Sequence, residues 1–282
     1  MPHTWRGRRR ARFAVRSKAA RAACFVVGET TMFALLAICL YPISVAPILV
    51  ERDNTAISAS GSVAIRAAVI ADVDRNGAIH IRTDGVVVDF GGQMLRGAAP
   101  DLPPERYAGY GVRITARDVT IRNLRVSGYR AGVYATGADG LVIEDCDFSD
   151  NFRQRLTSTP QAEDLSDWLY PHDNDANEWL HNYGAGIYIE ESDNVTVRRC
   201  RARKGQNALC GRKVNHARIY DNDFSFLSGW GIALYRSNHN VIVRNNCDFC
   251  MRGYSHGVYS RGQDSAGILF FEQCSDNIVA YN

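Results

Sequence analysis

The sequence predicts an all-β solenoid, in which short strands wind into coils of about 22 residues that stack along one axis. Three observations support it: a segment pattern that recurs, apolar residues that alternate with period two inside each segment, and Gly, Asn, Asp or Ser between the alternating stretches. The 282 residues, 46% hydrophobic and 22% charged, suffice for one large domain. This composition excludes a disordered chain and a disulfide-stapled miniprotein.

The recurring segments each open with glycine or alanine followed by alternating apolar residues. Their starts lie 21 to 23 residues apart, except for two gaps of 54 and 36 residues. These gaps imply a first insertion at about 153–182 and a second insertion at about 250–266. A looser coil precedes them at Gly77, and the segments start at Gly111, Gly132, Gly186, Ala208, Gly231 and Gly267.

Each coil contains three short alternating stretches, which would build a first, a second and a third sheet of the solenoid. No stretch shows the i, i+3, i+4, i+7 spacing of an amphipathic helix. The residues predicted to point inward are Val112, Ile114, Val133, Ala135, Ile187, Ile189, Ile232 and Leu234 in the first stretch; Val119, Ile121, Leu141, Ile143, Val195, Val197, Ala217, Ile219, Val241 and Val243 in the second; and Leu124, Val126, Cys146, Phe148, Cys200 and Ala202 in the third.

The cysteines of the body are predicted to be inward residues rather than metal ligands. Cys247 and Cys250 have metal-site spacing, but no second ligand pair accompanies them. Cys146 and Cys200 should lie on adjacent rungs, with Cα atoms about 5 Å apart, as thiols or as a strained, labile disulfide. The shared repeat position is occupied by Leu124, Cys146, Cys200, Asn222 and Asn246.

The phrases DGVVVDFGGQMLRG, NVTVRRC and NVIVRNN resemble the repeats of right-handed parallel β-helix proteins, the pectin-lyase-like superfamily. The resemblance covers about residues 77–282. It implies right-handed winding, a substrate cleft along the outer face of the first sheet, and carbohydrate as the usual ligand. The reaction is not specified by the fold.

Residues 1–60 are predicted to be a leader that precedes a β-helix domain at 61–282. Residues 1–31 carry seven net positive charges of a total of +3, which leaves −4 for the remainder and no basic surface for nucleic acid. The apolar run at 32–50 is either part of a signal peptide, cut near Ser58, Ala59 and Ser60, or an uncleaved transmembrane anchor. Both alternatives place the body outside the cytoplasm, in the periplasm, on the cell surface or in the medium.

The outward residues of the first sheet are candidates for substrate binding. Aromatic rings beside charged groups suit a sugar, because a pyranose has an apolar face and a rim of hydroxyls. Alternatively, tyrosines simply cover an exposed sheet because they favour strands. The candidates are Tyr134, Tyr188, Glu190, Arg212 and Tyr235, with Arg113 beside them.

The first insertion adds two tryptophans, Trp168 and Trp179, as a possible sugar platform or as side chains packed on the β-helix. Its carboxylates Asp173, Asp175 and Glu178 suggest a weak Ca²⁺ site. The stretch Pro171, His172 and Asp173 is similar to the Asp-Pro-His-Asp/Glu signature of alginate epimerases, with Tyr170 in place of the first acid.

The second insertion and the residue after the next strand supply the candidate catalytic groups Arg252, Tyr254, His256, Arg261, Asp264 and Glu272. In a lyase or epimerase acting on a uronic acid, arginine would neutralise the carboxylate and His256 or Tyr254 would take the proton. In a glycoside hydrolase, two carboxylates among Asp264, Glu272 and Glu190 would flank the bond. Alternatively, Arg252, Asp264 and Glu272 form ion pairs that hold the loop.

The sequence therefore predicts an exported polysaccharide-binding β-helix, with lyase or epimerase chemistry on uronic acids as the best hypothesis. A glycoside hydrolase and a non-catalytic carbohydrate-binding or surface protein remain the alternatives. The sequence stops within the second stretch of a coil, which leads us to expect further coils and a monomeric full-length protein.

Overall fold

The repeats form a parallel β-helix, as predicted. The computed structural model describes residues 46–159, 161–162, 164–170, 172–252 and 265–282. Every strand pairing in these residues is parallel and joins one coil to the next. Since no coil can bury its inner face alone, like residues stack on like residues through the whole described body.

Three sheets line the coils. The second sheet is β1 (Ile48–Val50), β3 (Gly61–Ile65), β5 (Val87–Asp89), β8 (Thr120–Arg122), β11 (Val142–Glu144), β13 (Thr196–Arg198), β15 (Arg218–Tyr220), β17 (Val241–Val243) and β19 (Ile278–Ala280). The first sheet is β2 (Thr55–Ile57), β4 (Ile79–Ile81), β7 (Tyr110–Ile114), β10 (Ala131–Thr136), β12 (Ala185–Asp193), β14 (Leu209–Asn215), β16 (Trp230–Tyr235) and β18 (Ala266–Phe271). The third sheet pairs β6 (Met94–Arg96) with β9 (Arg125–Ser127) and continues as single bridges to Asn246.

Helical structure in the described residues is confined to three short turns. Two are 3₁₀ turns, at Pro104–Arg106 and Leu165–Asp167. The third is a π-type turn at Trp179–Tyr183, at the end of the first insertion. Within the described part of the chain, no helix has the length and apolar character needed to cross a membrane.

The apolar interior follows the predicted pattern in all three stretches. Ile187 and Val197 are fully buried, and Val133 pairs in register with Ile187 although the first insertion separates them. Ile143 pairs with Val197 in the same way, so Cys146 and Cys200 lie on adjacent rungs as buried free thiols. Burial and the neighbouring Cys200 raise the pKa of the Cys146 thiol.

The predicted register is wrong in the coil of β17. Ile242, not Val241 or Val243, points inward, and it pairs with Ile219 one coil earlier. The spacing from Ile232 to Ile242 equals that from Leu209 to Ile219 one coil earlier, so the amide of Asn240 occupies the inward position before Ile242. Asn240 Nδ2 donates to the Val214 carbonyl at 2.9 Å, so its polar group is satisfied inside.

The predicted asparagine ladder is one residue off in the same way. Asn222 Nδ2 donates to Asn245 Oδ1 at 2.8 Å, so Asn245 takes the rung assigned to Asn246, which is exposed. A register shift of one residue exchanges the inner and outer faces of a strand.

The observed register predicts different effects of substitutions at the adjacent residues Val241 and Ile242. Ile242→Val should lower the free energy of unfolding by about 0.5–1.5 kcal/mol, because it removes a buried methylene. Val241→Thr, the control on the outer face, should change it by less than about 0.5 kcal/mol. Urea denaturation measures both free energies. A larger loss for Val241→Thr than for Ile242→Val would support the register predicted from the sequence instead.

The β-helix starts earlier than the domain boundary at 60/61. β1 and β2 both lie before residue 61, and Ile48 of β1 pairs with Val63 of β3. The last residues of the apolar run at 32–50 are therefore strand residues of the body. The remainder of the run, with the basic region, lies outside the described residues.

Candidate functional site

The first insertion packs onto the outer face of the first sheet. Trp179 is fully buried, with its ring centroid 4.8 Å from that of Trp230 and 5.6 Å from that of Tyr235. Its indole Nε1 donates to the His172 carbonyl at 2.9 Å, which satisfies its one polar atom. A second apolar cluster results, outside the β-helix interior, formed by Ala131, Leu169, Trp179, Leu180, Tyr183, Ala185, Tyr188, Cys210, Trp230, Ala233 and Tyr235.

Two asparagines fasten this insertion to the sheet. Asn174 Nδ2 donates to the Tyr188 hydroxyl at 2.9 Å, and that hydroxyl donates to Asn177 Oδ1 at 2.8 Å. Arg212 Nε also donates to Asn177 Oδ1, at 2.9 Å. Tyr188, Tyr235 and Trp179, all candidates for sugar contact, are thus buried in the packing that holds the insertion rather than facing a ligand.

Glu190 is the centre of a polar network at the border of the insertion. The Tyr134 hydroxyl and Thr136 Oγ1 donate to its Oε1 at 2.6 and 2.8 Å, and Arg212 Nη2 lies 3.4 Å from its Oε2. Burial alone raises the pKa of Glu190, but these hydrogen bonds and the Arg212 charge outweigh burial and leave the pKa below its ordinary value. Glu190 is therefore an ionised, 5% exposed carboxylate.

Tyr134 connects this carboxylate to Arg113. The Arg113 guanidinium lies 3.7 Å from the centroid of the Tyr134 ring. Burial and the hydrogen bond to Glu190 raise the pKa of Tyr134 to about 12, so the hydroxyl keeps its proton at neutral pH. The network combines a buried anion, two cations and a protonated phenol on the outer face of the first sheet.

The predicted Ca²⁺ site does not form. Asp175 Oδ1 pairs with Arg236 Nη1 at 2.9 Å, Glu178 Oε2 accepts from the Ala176 amide at 2.9 Å, and Asp173 is exposed to solvent. Asp175 and Glu178 have separate partners and Asp173 faces solvent, so the three carboxylates do not converge. In the parts of the chain that the structure describes, no three His, Cys, Asp or Glu side chains are grouped to hold a metal ion.

The second insertion lies mostly outside the described residues. Tyr254, His256, Arg261 and Asp264 belong to that part, as does Pro171 of the epimerase-like stretch. The hypotheses on these residues therefore remain predictions.

Arg252 and Glu272 are described, and they do not pair with one another. Arg252 is fully buried and donates to the Ser228 carbonyl at 2.9 Å, just before β16. Glu272 lies 3.5 Å from Arg236, which is the residue that follows β16. A strand of this length separates its ends by about 20 Å. In the described part of the chain Arg252 is consequently a buried cation bonded to Ser228, and its predicted pairing with Asp264 lies outside the described residues.

An open groove of about 600 Å³ runs beside the first insertion. Trp168 and Tyr170 line it and are 36% and 77% exposed. Arg130, Arg155 and His181 supply polar groups along the same groove. Of the predicted sugar-contacting rings, Trp168 is the one at an open surface.

The groove also reaches the start of the second insertion. Gln154 lines the groove, and its Oε1 accepts a hydrogen bond from Arg252 Nη2 at 3.1 Å. The two insertions are thus joined where the second one leaves the coil, although 98 positions separate the bonded residues.

A second cavity, of about 320 Å³, adjoins the groove and shares Arg130 and His181 with it. Its other polar side chains are Arg75, Arg106, Tyr107 and Tyr110. Sequence reasoning missed these residues because it followed the strands. The three arginines occur at or just before strand starts, so aligning the corners of successive coils would have indicated them.

Comparison with known proteins gives a partial family match. Residues 169–282, less than half of the chain, match the family model described as periplasmic copper-binding protein (NosD). The chain is similar to that family over this stretch, which runs from the first insertion to the end of the sequence. No curated protein matches the chain significantly.

One solved structure, described as the complex structure of XylC with xylose, is 11% identical to the chain. The match covers 60% of this chain and 34% of that one, with a TM-score of 0.32. The chain thus spans about a third of that protein's length, and so distant a likeness carries no argument.

Proposed function

We propose that this protein is an exported β-helix that binds an acidic polysaccharide in the groove beside the first insertion. The observation that carries the proposal is the combination of exposed rings, Trp168 and Tyr170, with the cations Arg130 and Arg155 in one open groove. Aromatic rings stack on the apolar face of a sugar, and arginine binds carboxylates in a bidentate manner. A groove with both is suited to a chain of uronic-acid units.

Lyase or epimerase chemistry is the reaction we propose for this groove. Such a reaction needs a cation on the sugar carboxylate and a base that removes the neighbouring proton. Arg130 supplies a cation in the groove, and the exposed His181 is a candidate base there. Tyr254, His256 and Arg261 follow Arg252, which is bonded to Gln154 at the groove, so they remain candidates for the same chemistry.

A glycoside hydrolase is the less favoured alternative. It needs two carboxylates on either side of the bond. Among the described lining residues, Glu105 is the one carboxylate of the groove, while Glu190 is buried in its hydrogen-bond network. A non-catalytic carbohydrate-binding protein stays open as the second alternative.

Export is supported by the basic leader with its apolar run, and by the periplasmic setting named for the family that residues 169–282 match. Copper binding, the other property in that family's description, does not fit the described donors. The rings of His216 and His239 stack 5.1 Å apart, but the described residues around them complete no three-ligand group. We therefore assign no metal to the proposed function.

Incubating the full-length protein with polygalacturonate, alginate and a neutral glycan tests the proposal. Calorimetry should show binding of the polyuronates, and Trp168→Ala should weaken it about tenfold through loss of ring stacking. Phe249→Ala removes a 55% exposed ring elsewhere and serves as the control. Absence of polyuronate binding, or equal loss in both variants, would reject the groove.

The reaction products then separate the classes. New ultraviolet absorbance reports an unsaturated uronate and hence a lyase, and a changed uronate composition without absorbance reports an epimerase. New reducing ends without absorbance report a hydrolase, and binding without any product leaves the non-catalytic alternative.

A further inference from the structure

The 320 Å³ cavity carries an excess of positive charge. Arg75, Arg106 and Arg130 line it together with His181, and no carboxylate side chain is among its described lining residues. None of the three arginines takes part in an ion pair within the residues that the structure describes. Other arginines of the molecule do pair with carboxylates, as Arg244 does with Asp221 at 2.7 Å.

The nearest buried acid is bound by backbone amides instead of by these arginines. Asp72, 6% exposed, accepts from the amides of Asn76, Gly77 and Tyr110 at 3.0, 2.9 and 2.7 Å. Its carboxylate thereby fixes both the turn that carries Arg75 and the first residue of β7. The wall of the cavity is held in place without neutralising its cations.

Gly109 allows this arrangement. Its φ is +69°, and a Cβ at this position would lie 2.5 Å from Asp72 Cβ. Only glycine accommodates both the left-handed backbone and the close approach of Asp72. The chain before Tyr110 can therefore close against the turn of Arg75 and shape the cavity.

The side chain of Arg130 is held in place by Phe152 and by the His181 backbone. Its guanidinium lies 3.8 Å from the centroid of the Phe152 ring, and Nη1 donates to the His181 carbonyl at 2.9 Å. Its Nε and Nη2 make no hydrogen bond within the described residues. Burial lowers the pKa of Arg130, and the positive charge of Arg75 adds to this effect. An anion in the cavity would relieve the repulsion and complete the hydrogen bonds.

We propose that this cavity is a binding site for a single anionic group, presented as the carboxylate of an acidic sugar. In this form the inference rests on the proposed function, because Arg130 and His181 line both the cavity and the polysaccharide groove. A sugar acid held here would extend directly into the groove. Free phosphate or sulfate has the same chemistry, and a binding test distinguishes these sources.

The test titrates the full-length protein by calorimetry with galacturonate, glucuronate, inorganic phosphate and sulfate, and with glucose as the neutral probe. Galacturonate or glucuronate should bind and glucose should not. Arg75→Gln and Arg106→Gln should each weaken binding about tenfold, since a charge-assisted hydrogen bond is lost. Arg130→Gln should do the same, but it also removes the bond to the His181 carbonyl.

Arg117→Gln is the matched control, because Arg117 is an exposed arginine at a different turn, paired with Asp139. The inference is overturned if no anion binds, or if Arg75→Gln and Arg106→Gln bind as the control does. Binding of phosphate or sulfate but not of the sugar acids overturns the carboxylate source and leaves an inorganic-anion site. A failure of the cavity proposal can be told apart from a failure of the groove proposal. If polyuronate binding depends on Trp168 but not on Arg75, the cavity is rejected and the groove is retained.

Discussion

Replacing Trp179 with alanine is expected to lower the free energy of unfolding by about 3–5 kcal/mol. The side chain is fully buried between Trp230, Tyr235 and the first insertion, so truncation leaves a large cavity in the second apolar cluster. It also leaves the His172 carbonyl without its indole donor. Guanidinium denaturation, followed by near-ultraviolet circular dichroism, measures both the stability and the order of the stacked rings.

Trp168→Ala supplies the control for this variant. Trp168 belongs to the same insertion but is 36% exposed, so its loss should cost much less stability. We expect Trp179→Ala to affect both stability and polyuronate binding, because the insertion that walls the groove loses its anchor. Trp168→Ala should weaken binding with only a small loss of stability. Equal destabilisation by the two variants would contradict the assignment of one ring to packing and the other to the groove.

The coil architecture was predictable because each coil depends on its neighbours. Ile187 and Val133 are separated by 54 positions, yet both must face the interior and stack, and this constraint makes the repeat visible through the insertion. The register of β17 was less constrained. Val241, Ile242 and Val243 are all apolar, so the alternation of apolar and polar residues cannot decide which of them is inside.

The deciding interaction in that coil is a polar ladder. Asn240 is fully buried because its Nδ2 reaches both the Val214 carbonyl and Asn277 Oδ1, the latter at 3.0 Å. A hydrophobic pattern places asparagine outside, whereas a stack of amides satisfies asparagine inside. Counting Asn222, Asn245 and Asn282 as one ladder would have indicated the correct register.

The site was only partly predictable, since insertions carry no periodicity. The sequence places the first insertion directly before the segment that starts at Gly186, and asparagines of the insertion bond to the hydroxyl of Tyr188 in that segment. It gave no means to distinguish the buried Trp179 from the exposed Trp168, since both are tryptophans in one polar stretch. The bond between Gln154 and Arg252 joins two irregular segments and leaves no trace in residue spacing.

Replacing Arg252 with alanine is expected to lower the free energy of unfolding by about 3 kcal/mol or more, through a cavity and an unsatisfied carbonyl. The guanidinium is fully buried and donates to the Ser228 carbonyl and to Gln154 Oε1. Gln154 Oε1 keeps a second donor, Gln206 Nε2 at 2.9 Å. The larger loss is therefore the hydrogen bond to the buried Ser228 carbonyl. Arg244→Ala, an exposed arginine paired with Asp221, is the matched control and should cost less than about 1 kcal/mol.

Arg252→Met separates the volume of this side chain from its charge. Burial lowers the pKa of Arg252 to about 10, which means that the folded protein holds this positive charge less favourably than the unfolded chain does. Within the described residues its Nε also has no hydrogen-bond partner. Methionine fills much of the cavity and removes the buried charge, so Arg252→Met should lose less stability than Arg252→Ala. If urea denaturation shows Arg252→Ala to be as stable as the wild type, or Arg252→Met to be the weaker of the two, then Arg252 does not join the insertions as a buried cation.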